Sequence, residues 1–545
     1  MKQFTQNTLF VCVLEICAFI LFSVTAHAAT YTVTTSADDG AGSLRAAVAA
    51  ANSTVDDDII NFSIPSSDPN CTADGVCTIT LISGQLVVNS TSTAGKLMIV
   101  NSTGASNLKV SGNNASRIFF VNSGGDLALS GVTIMNGLGV DGGGIYNNGA
   151  ITLINLIITG NFATNAGVEN FRGAGGGIYN RGKAQLINSI VSGNTSMNNG
   201  GGINNGGEAA LLTITNSTIS DNKALGSNGG IGGGIINSGT LTLTNSTVSG
   251  NTVGAVGGGI YTFNNGRATL INSTISGNTA INFGGIVNFG LELTITNSTV
   301  TGNKGTSNYN ENVGGVYSPG VPANLNNTII AGNTVPNASA FPDFRGQISS
   351  ASAYNIIGND QGMFNQRIFN NTNGNQVGTP ANPIDPRLAP LANNGGATQT
   401  HALMPDSPAI DKGNTSDLNT DQRGLARPVD LFNYPNAANG DGADIGAFEL
   451  QTAPTAASVT ISGRAITSNG RGLFNALVAL TTENGETRYA RTSISGRYHF
   501  NDVTVGSSVV ITVLSKRYSF APQVLMVTGE ALNVDFLAQD GLSKR

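Results

Sequence analysis

The sequence has no tryptophan, three histidines and only 11% charged residues among its 545 positions. The histidines are His27, His401 and His499, and none has a nucleophile at a spacing that predicts a catalytic pair. The net charge is −6, and the chain has no basic run. Proteins that bind nucleic acid or an anionic membrane surface usually concentrate positive charge. The composition therefore argues against both kinds of partner.

Long hydrophobic runs are also missing, except near the N-terminus. Residues 1–28 are typical of a Sec signal peptide, because an apolar stretch over 9–24 precedes the A-x-A site Ala26-His27-Ala28. An uncleaved anchor is the alternative, since Glu15 interrupts the apolar stretch. No other segment is long and apolar enough to span a bilayer. We therefore expect a chain that is secreted or held at the cell surface, with no membrane span after cleavage.

Cysteine is scarce, and the expected mature chain keeps only two. Cys71 and Cys77 lie close together in the segment CTADGVC. A single close pair in an exported protein predicts a disulfide that closes a surface loop. Zinc is not expected, because no matching Cys or His accompanies the pair.

Glycine is abundant, with 72 residues, and much of it belongs to a repeat. Between Gly142 and Asn333 the chain repeats GGGIYN, a short apolar stretch and N-S-T-[IV]-S-G-N, in copies 25 to 33 residues apart. Self-similarity at this period without a helical pattern predicts a stacked β-solenoid. The copies end at Asn161, Asn194, Asn222, Asn251, Asn278, Asn303 and Asn333.

Alignment of the copies predicts which side chains point inward. The apolar position after the Gly run, typified by Ile145, should face the interior, as should those typified by Leu153 and Ile158. The inward parity changes between Leu153 and Ile158, which predicts a corner at the asparagine between them. Stacked corner amides should then form a ladder from coil to coil. The corner residues are Asn155, Asn188, Asn216, Asn245, Asn272, Asn297 and Asn327. Four of these start Asn-Ser-Thr, so N-glycosylation is the alternative at Asn216, Asn245, Asn272 and Asn297.

The fold class that we predict is all-β, with a right-handed parallel β-helix followed by a small β-sandwich. The β-helix with its N-terminal cap should occupy 29–335, and Ser43 should cap a short lid helix within 38–52. Irregular closing coils should follow over 336–450, then a linker over 451–458. The alternation over 459–538 predicts the sandwich.

Several segments resemble known families. YTVTTSADDGAGSLRAAVAAAN looks like the cap of exported bacterial proteins named for a Cys-Ser-Leu-Arg-Glu-Ala motif, although no Cys precedes Ser43. The repeats resemble the right-handed β-helix superfamily that includes pectate lyases, and GGGIYN resembles the Gly-Gly-x-Ile motif of polymorphic outer-membrane proteins. SPAID, DQRGLARP and DIGAFE together look like a choice-of-anchor Q domain. Residues 459–538 are similar to carboxypeptidase regulatory-like, transthyretin-like domains. These resemblances imply an exported, surface-associated bacterial protein.

The resemblance to β-helix enzymes sets requirements that the repeats do not meet. Such lyases and hydrolases resemble one another in clustered carboxylates that bind calcium or perform acid–base chemistry. Here the acidic residues recur at no common repeat position, so we assign no catalytic residue. The acidic residues of the repeats are Asp141, Glu169, Glu208, Asp221, Glu292 and Glu311.

Binding residues are predicted on two parts of the solenoid. Tyr146, Tyr179 and Tyr261 share an outward position, where they form either ordinary stacking contacts or a platform for sugar rings. The loops that join the copies vary most in length and carry charge, including Glu169 and Arg172.

The densest carboxylate group lies outside the repeats, over 411–449. It predicts a salt-bridged closing cap; a calcium site around Asp441 and Asp444, or a catalytic dyad, are the alternatives. No cofactor is expected apart from that optional Ca²⁺.

The function that these observations favour is non-catalytic. We expect an extracellular or cell-surface β-helix that acts as a stalk or adhesive, or as a binding surface for glycan or another cell-surface or matrix component, as a monomer. A polysaccharide lyase or glycoside hydrolase is the alternative.

Overall fold

A computed structural model gives the architecture of the chain. It describes residues 28–89, 95–165, 173–226, 230–337, 340–365, 367–415, 417–451, 458–482, 485–504, 507–515, 517–527 and 534–539. The predicted signal peptide, apart from Ala28, and most of the predicted linker lie outside these ranges. No helix within them is long and apolar enough to cross a membrane.

The chain divides into two compact units, with residues 1–430 and 434–449 in the first and 431–433 and 450–545 in the second. The first unit is a parallel β-solenoid of about 11 turns. The second contains smaller, mainly antiparallel sheets. The predicted all-β fold class is thus confirmed.

A helix covers the N-terminal end of the solenoid core, because its apolar stripe needs burial. Helix α1, Leu44–Ala51, begins after Ser43, whose side chain accepts a hydrogen bond from the Ala46 N–H. Its buried residues are Leu44, Ala47, Val48 and Ala51, which join the core of the first coils. The predicted cap helix and its N-cap are confirmed.

Each of the first six repeat copies makes one coil with four short strands, and in the seventh the first two strands merge into Val316–Asn326. In the first copy these are Ile145–Asn147, Ala150–Ile154, Ile157–Thr159 and Phe162–Ala163. Each strand pairs in parallel with its counterpart in the next coil, so the same sequence position stacks from coil to coil. We name the four resulting sheets the tyrosine face, the threonine face, the third face and the edge sheet.

The strands of the four sheets are as follows. Those of the tyrosine face are Leu86–Val88, Phe119–Val121, Ile145–Asn147, Ile178–Asn180, Ile203–Asn205, Ile235–Asn237, Ile260–Thr262, Ile286–Asn288, Val316–Asn326, Phe344–Ile348 and Gly362–Met363. Val316–Asn326 continues into the threonine face, whose other strands are Thr30–Val33, Asp58–Phe62, Leu97–Val100, Asp126–Ser130, Ala150–Ile154, Lys183–Ile187, Leu211–Thr215, Thr240–Thr244, Arg267–Ile271 and Glu292–Thr296. The third face contains Cys77–Thr80, Leu108–Ser111, Thr133–Met135, Ile157–Thr159, Ile190–Ser192, Thr218–Ser220, Thr247–Ser249, Thr274–Ser276, Thr299–Thr301, Ile329–Ile330, Ile356–Ile357 and Gln376–Val377. The edge sheet contains Leu138–Gly139, Phe162–Ala163, Thr195–Ser196, Lys223–Ala224, Thr252–Val256, Thr279–Asn282 and Lys304–Gly305.

The core consists of the apolar positions that the alignment places inward. Ile145, Leu153 and Ile158 are fully buried, and so are their counterparts in the other six copies. Three rows of stacked aliphatic side chains therefore fill the solenoid along its length, which confirms the predicted inward pattern.

The corner asparagines bend the chain as expected, but they do not form the predicted ladder. All seven have positive φ, between 46° and 54°, a conformation that asparagine tolerates better than most residues. Their amides do not bond to one another. In three of them, Asn245, Asn272 and Asn297, the buried Oδ1 has no hydrogen-bond partner. The prediction is therefore corrected: the corner residues supply the left-handed turn, and the ladders lie elsewhere.

Two other asparagine positions form the ladders, because their side chains point into the coil. The Nδ2 of Asn147 donates to Oδ1 of Asn180 at 2.7 Å, and the pattern continues through Asn205 to Asn237. The second ladder joins the asparagines that close each copy, from Asn161 to Asn333, at 2.9–3.0 Å. In this second ladder each Oδ1 also accepts the backbone N–H of the preceding asparagine, so the buried amides are well satisfied.

The region after the repeats does more than close the last coils. Its first part adds short strands to the tyrosine and third faces, down to Gln376–Val377. Residues 385–430 and 434–449, which we call the return segment, then run back along the side of the third face. Ala447 donates its backbone N–H to Thr299 Oγ1, and the Thr398 hydroxyl donates to the Asn245 carbonyl. The segment that was predicted to close the end of the solenoid therefore covers its side.

The second unit has its own core. Its three-stranded sheet contains Arg497–Thr504, Ser458–Ile466 and Phe536–Leu537, in that order. The four-stranded sheet has the order Thr487–Arg491, Leu477–Thr482, Ser508–Leu514 and Gln523–Met526. Ile461, Val478, Ile511 and Phe536 belong to a hydrophobic cluster separate from that of the solenoid.

Candidate functional surface

One outward row of the tyrosine face contains five aromatic side chains. Strand pairing places Tyr146 beside Phe120 on one side and Tyr179 on the other. The row continues through Asn204 and Ile236 to Tyr261. The complete row is Val87, Phe120, Tyr146, Tyr179, Asn204, Ile236, Tyr261, Val287, Tyr317, Arg345 and Gly362.

The first three aromatic residues form a continuous stack. The ring centroids of Phe120 and Tyr146, and of Tyr146 and Tyr179, are each 5.1 Å apart, with planes inclined by 16° and 18°. The rings therefore use their faces to contact one another. Ring faces that are used in this way are not open platforms for sugar rings.

Two arginines flank this stack, and the sequence repeat gave no sign of them. The Arg117 guanidinium lies 5.5 Å from the centroid of Phe120 and 5.2 Å from that of Tyr146. It is held there because its Nε and Nη2 donate to the Asp141 carbonyl. Exposed Arg181 lies beside Tyr146, and a hydrogen bond with the tyrosine side chain raises the pKa of its guanidinium. Cationic donors thus accompany the phenolic hydroxyls.

A second aromatic and cationic group lies farther along the same face. Arg345 lies 5.3 Å from the ring centroid of Tyr317 and 4.8 Å from that of Phe341. It also forms an ion pair with Glu311 at 3.0 Å, and the Tyr309 hydroxyl donates to the same carboxylate. The hydrogen bond from Arg345 lowers the pKa of Glu311. The predicted Tyr261 contacts Phe263 and Phe289, at 5.9 and 6.0 Å.

The remaining predicted site residues lie apart from this row. Cys71 and Cys77 are joined by a disulfide beside the strand Cys77–Thr80. Glu169 and Arg172 lie outside the described residues, so the structure does not place them.

The carboxylates of Asp441 and Asp444 bind N–H and O–H donors. Asp441 Oδ2 accepts the backbone N–H and the hydroxyl of Thr415, at 2.8 and 2.7 Å, and Asp444 Oδ1 accepts the backbone N–H of Asp411 at 2.8 Å. The described residues contain no group of three or more His, Cys, Asp or Glu that could hold a metal.

The nearby charges form ion pairs that hold the return segment together. Arg427 donates to Glu449 at 2.8 Å, and both side chains are fully buried. Arg423 pairs with Asp421 at 2.7 Å, and both are nearly buried. Burial raises the pKa of Glu449, while Arg427 and two backbone N–H groups act in the opposite direction. These contacts give the carboxylates of the segment a structural role.

A serine and a histidine that sequence spacing did not connect meet under the return segment. Ser276 Oγ lies 2.8 Å from His401 Nε2, and His401 Nδ1 lies 2.7 Å from the Ala389 carbonyl. Burial lowers the pKa of His401, which favours the neutral ring. Nδ1 then donates to the Ala389 carbonyl, and Nε2 accepts a hydrogen bond from the Ser276 hydroxyl. A serine and a histidine in contact can form an activated nucleophile. Here, however, Ser276 is only 5% exposed, and the pair tethers the segment to the third face.

A scan against models of protein families and a search of curated proteins find no match for this chain. The class is therefore defined by its fold, a parallel β-solenoid followed by a separate β unit.

Proposed function

We propose that this chain is a non-catalytic protein of the cell exterior, in which the solenoid acts as a stiff stalk and its tyrosine face binds glycan. The observation that carries the proposal is the row of Phe120, Tyr146 and Tyr179, flanked by Arg117 and Arg181, in register on one face. A linear polymer lying along the solenoid would meet equivalent positions at every coil, about 4.8 Å apart.

The chemistry of the row suits a hydroxyl-rich ligand. The ring faces are occupied by stacking, so recognition depends on the ring edges, the phenolic hydroxyls and the guanidinium groups. These groups donate and accept hydrogen bonds in the same way that sugar hydroxyls do. A glycan, or a matrix component that carries glycans, is therefore the partner that we propose for a monomeric chain.

Export is part of the same proposal. The disulfide between Cys71 and Cys77 suits an oxidising compartment, in agreement with the predicted signal peptide. The similarity of the return segment to a choice-of-anchor Q domain, and of the second unit to carboxypeptidase regulatory-like domains, points in the same direction.

The test is a glycan array followed by affinity measurements on the double variant Tyr146→Phe/Tyr179→Phe. Phe120 already occupies the stack, so phenylalanine should preserve the packing while both hydroxyls are removed. Each lost hydrogen bond contributes roughly 0.5–1.5 kcal/mol, and we expect glycan affinity to fall about five- to hundredfold. The melting temperature should stay close to that of the wild type.

Tyr489→Phe is the matched control, because this tyrosine is 61% exposed in the second unit. It should leave the affinity unchanged. Equal glycan affinity of the double variant and the wild type would show that the binding site does not lie on the tyrosine face. Release of reducing ends or unsaturated sugars by the purified wild type would replace the proposal with the enzyme alternative.

A further inference from the structure

The second unit contains a large open groove at one end of its four-stranded sheet. Its volume is about 1130 Å³. It is lined by the ends of Leu477–Thr482 and Ser508–Leu514, by residues from 467–476, and by Ser515 and 517–520. A cavity of this size exceeds what a single side chain or a few waters occupy, and it lies slightly above the usual range for small-molecule sites, which leaves room for a larger ligand.

The charge of the groove is uniformly positive. Arg471, Arg491 and Arg517 line it, and the described lining residues include no Asp or Glu. None of the three forms an ion pair with a described residue, and among their guanidinium groups only that of Arg491 donates to a described side chain, that of Asn475 at 3.1 Å. This concentration of guanidinium groups stands out in a chain of net charge −6.

The other half of the groove is apolar and exposed. Phe474 is 65% exposed, Leu514 is 53% exposed and Tyr518 is 37% exposed. Large apolar side chains that are grouped beside cationic donors are typical of binding sites. The groove therefore suits a ligand that carries both anionic groups and an apolar surface.

The backbone around the groove is paired in part. Leu477–Thr482 pairs with strands on both sides, whereas Ser508–Leu514 does so only over Ser508–Ile511. The charge of the groove comes from its guanidinium groups, which bind carboxylate or sulfate in a two-pronged geometry, so we expect these side chains to dominate recognition.

We propose that this groove binds an acidic polysaccharide through its carboxylate or sulfate groups. Arg471, Arg491 and Arg517 bind successive acidic groups, and Phe474 and Tyr518 contact the less polar faces of the sugar rings. The choice of a polysaccharide over a nucleic acid rests on the proposed function, which places the chain outside the cell. The site itself is independent of the tyrosine face.

The test measures binding of the full chain to polygalacturonate and to dextran sulfate by isothermal titration, with neutral dextran as a blank. Arg471→Ala, Arg491→Ala and Arg517→Ala should each weaken binding about tenfold, and the triple variant should abolish it. Binding should also weaken between low and high salt, because these exposed charges are screened. A difference between the two polymers identifies carboxylate or sulfate as the preferred group.

Arg497→Ala is the matched control, since it removes an exposed arginine of the same unit that does not line the groove. It should bind like the wild type. Tyr146→Phe/Tyr179→Phe tests the proposed function separately, and in that background the groove variants should still remove the arginine-dependent part of the binding. Equal losses in Arg497→Ala and the groove variants would overturn the site. Tighter, arginine-dependent binding of polyglutamate or single-stranded DNA would overturn the ligand class, and failure of both acidic polysaccharides to bind would overturn the proposal.

Discussion

At the scale of single residues, the end of the second asparagine ladder differs from the rest. Asp343 takes the place of the next asparagine, and its Oδ1 accepts both the backbone N–H and the Nδ2 of Asn333. Burial raises the pKa of Asp343 from 3.8 to about 6, although the bonds from Asn333 oppose the shift. An ionised carboxylate at this place is therefore costly.

Stability should depend on pH through this group. Since the folded pKa is raised, protonation stabilises the fold fully below pH 3.8, and that contribution is lost as the pH rises through about 6. The loss amounts to about 2–3 kcal/mol at neutral pH. Asp343→Asn completes the ladder with a neutral amide, so it should raise the melting temperature at pH 7.5 and change it little at pH 3.5.

Circular dichroism melts at the two pH values check this expectation. Asp360→Asn is the control, because Asp360 is half-buried nearby and its carboxylate belongs to no ladder. A variant Asp343→Asn that melts like the wild type at pH 7.5 would show that the buried charge costs little.

At the scale of elements, the inner asparagines form the amide ladders that the sequence pattern assigned to the corners. Asn251 is fully buried, and its Nδ2 donates to the Ile219 carbonyl and to Asn278 Oδ1. Its Oδ1 accepts two bonds from Asn222. Asn251→Ala should thus leave several buried groups without partners and destabilise the solenoid by about 2–4 kcal/mol.

Thermal or urea denaturation measures the effect, with Asn188→Gly as the comparison. Asn188 is an exposed corner residue with φ of 49°, a conformation that glycine adopts freely. We expect that variant to lose little stability. A larger loss of stability in Asn188→Gly than in Asn251→Ala would show that the corner asparagines, and not the inner ones, stabilise the coils.

The elements also show which features sequence reasoning can reach. Periodicity revealed the coils, the inward rows and the aromatic row, because stacking repeats the same position in every coil. It did not reveal which asparagine of a coil points inward, since several asparagines recur with the same period. It also missed contacts such as that between Gln422 and Thr247, which are 175 residues apart and belong to no repeat. Arg117 precedes the repeats, so no alignment of copies could add it to the candidate surface.

At the scale of the whole molecule, the two units have separate hydrophobic cores and should respond separately to core substitutions. Ile511 is fully buried in the second unit, and Ile219 is fully buried in the solenoid. Ile511→Ala should lower the temperature of the calorimetric transition of the second unit and leave that of the solenoid unchanged. The free energy of unfolding of the second unit should fall by about 2–5 kcal/mol. Ile219→Ala should shift the other transition.

Differential scanning calorimetry of the full chain distinguishes the outcomes. Each variant serves as the control for the other, because the substitution and the degree of burial are the same. One transition that shifts as a whole in both variants would show that the chain unfolds as a single cooperative unit.

The return segment sets a limit on how the solenoid can vary in length. Stacked coils are nearly interchangeable, so duplication or deletion of a whole coil leaves the pairing of its neighbours intact. The return segment, however, is anchored at fixed steps: to Asn245 through Thr398, to Asn272 through Thr420, to Asn297 through Thr415 and to Asn327 through Asp444. The return segment thus fixes the number of coils from Asn245 to Asn327 at four, and insertion of whole coils into the solenoid, by evolution or by engineering, is confined to the coils before Asn245.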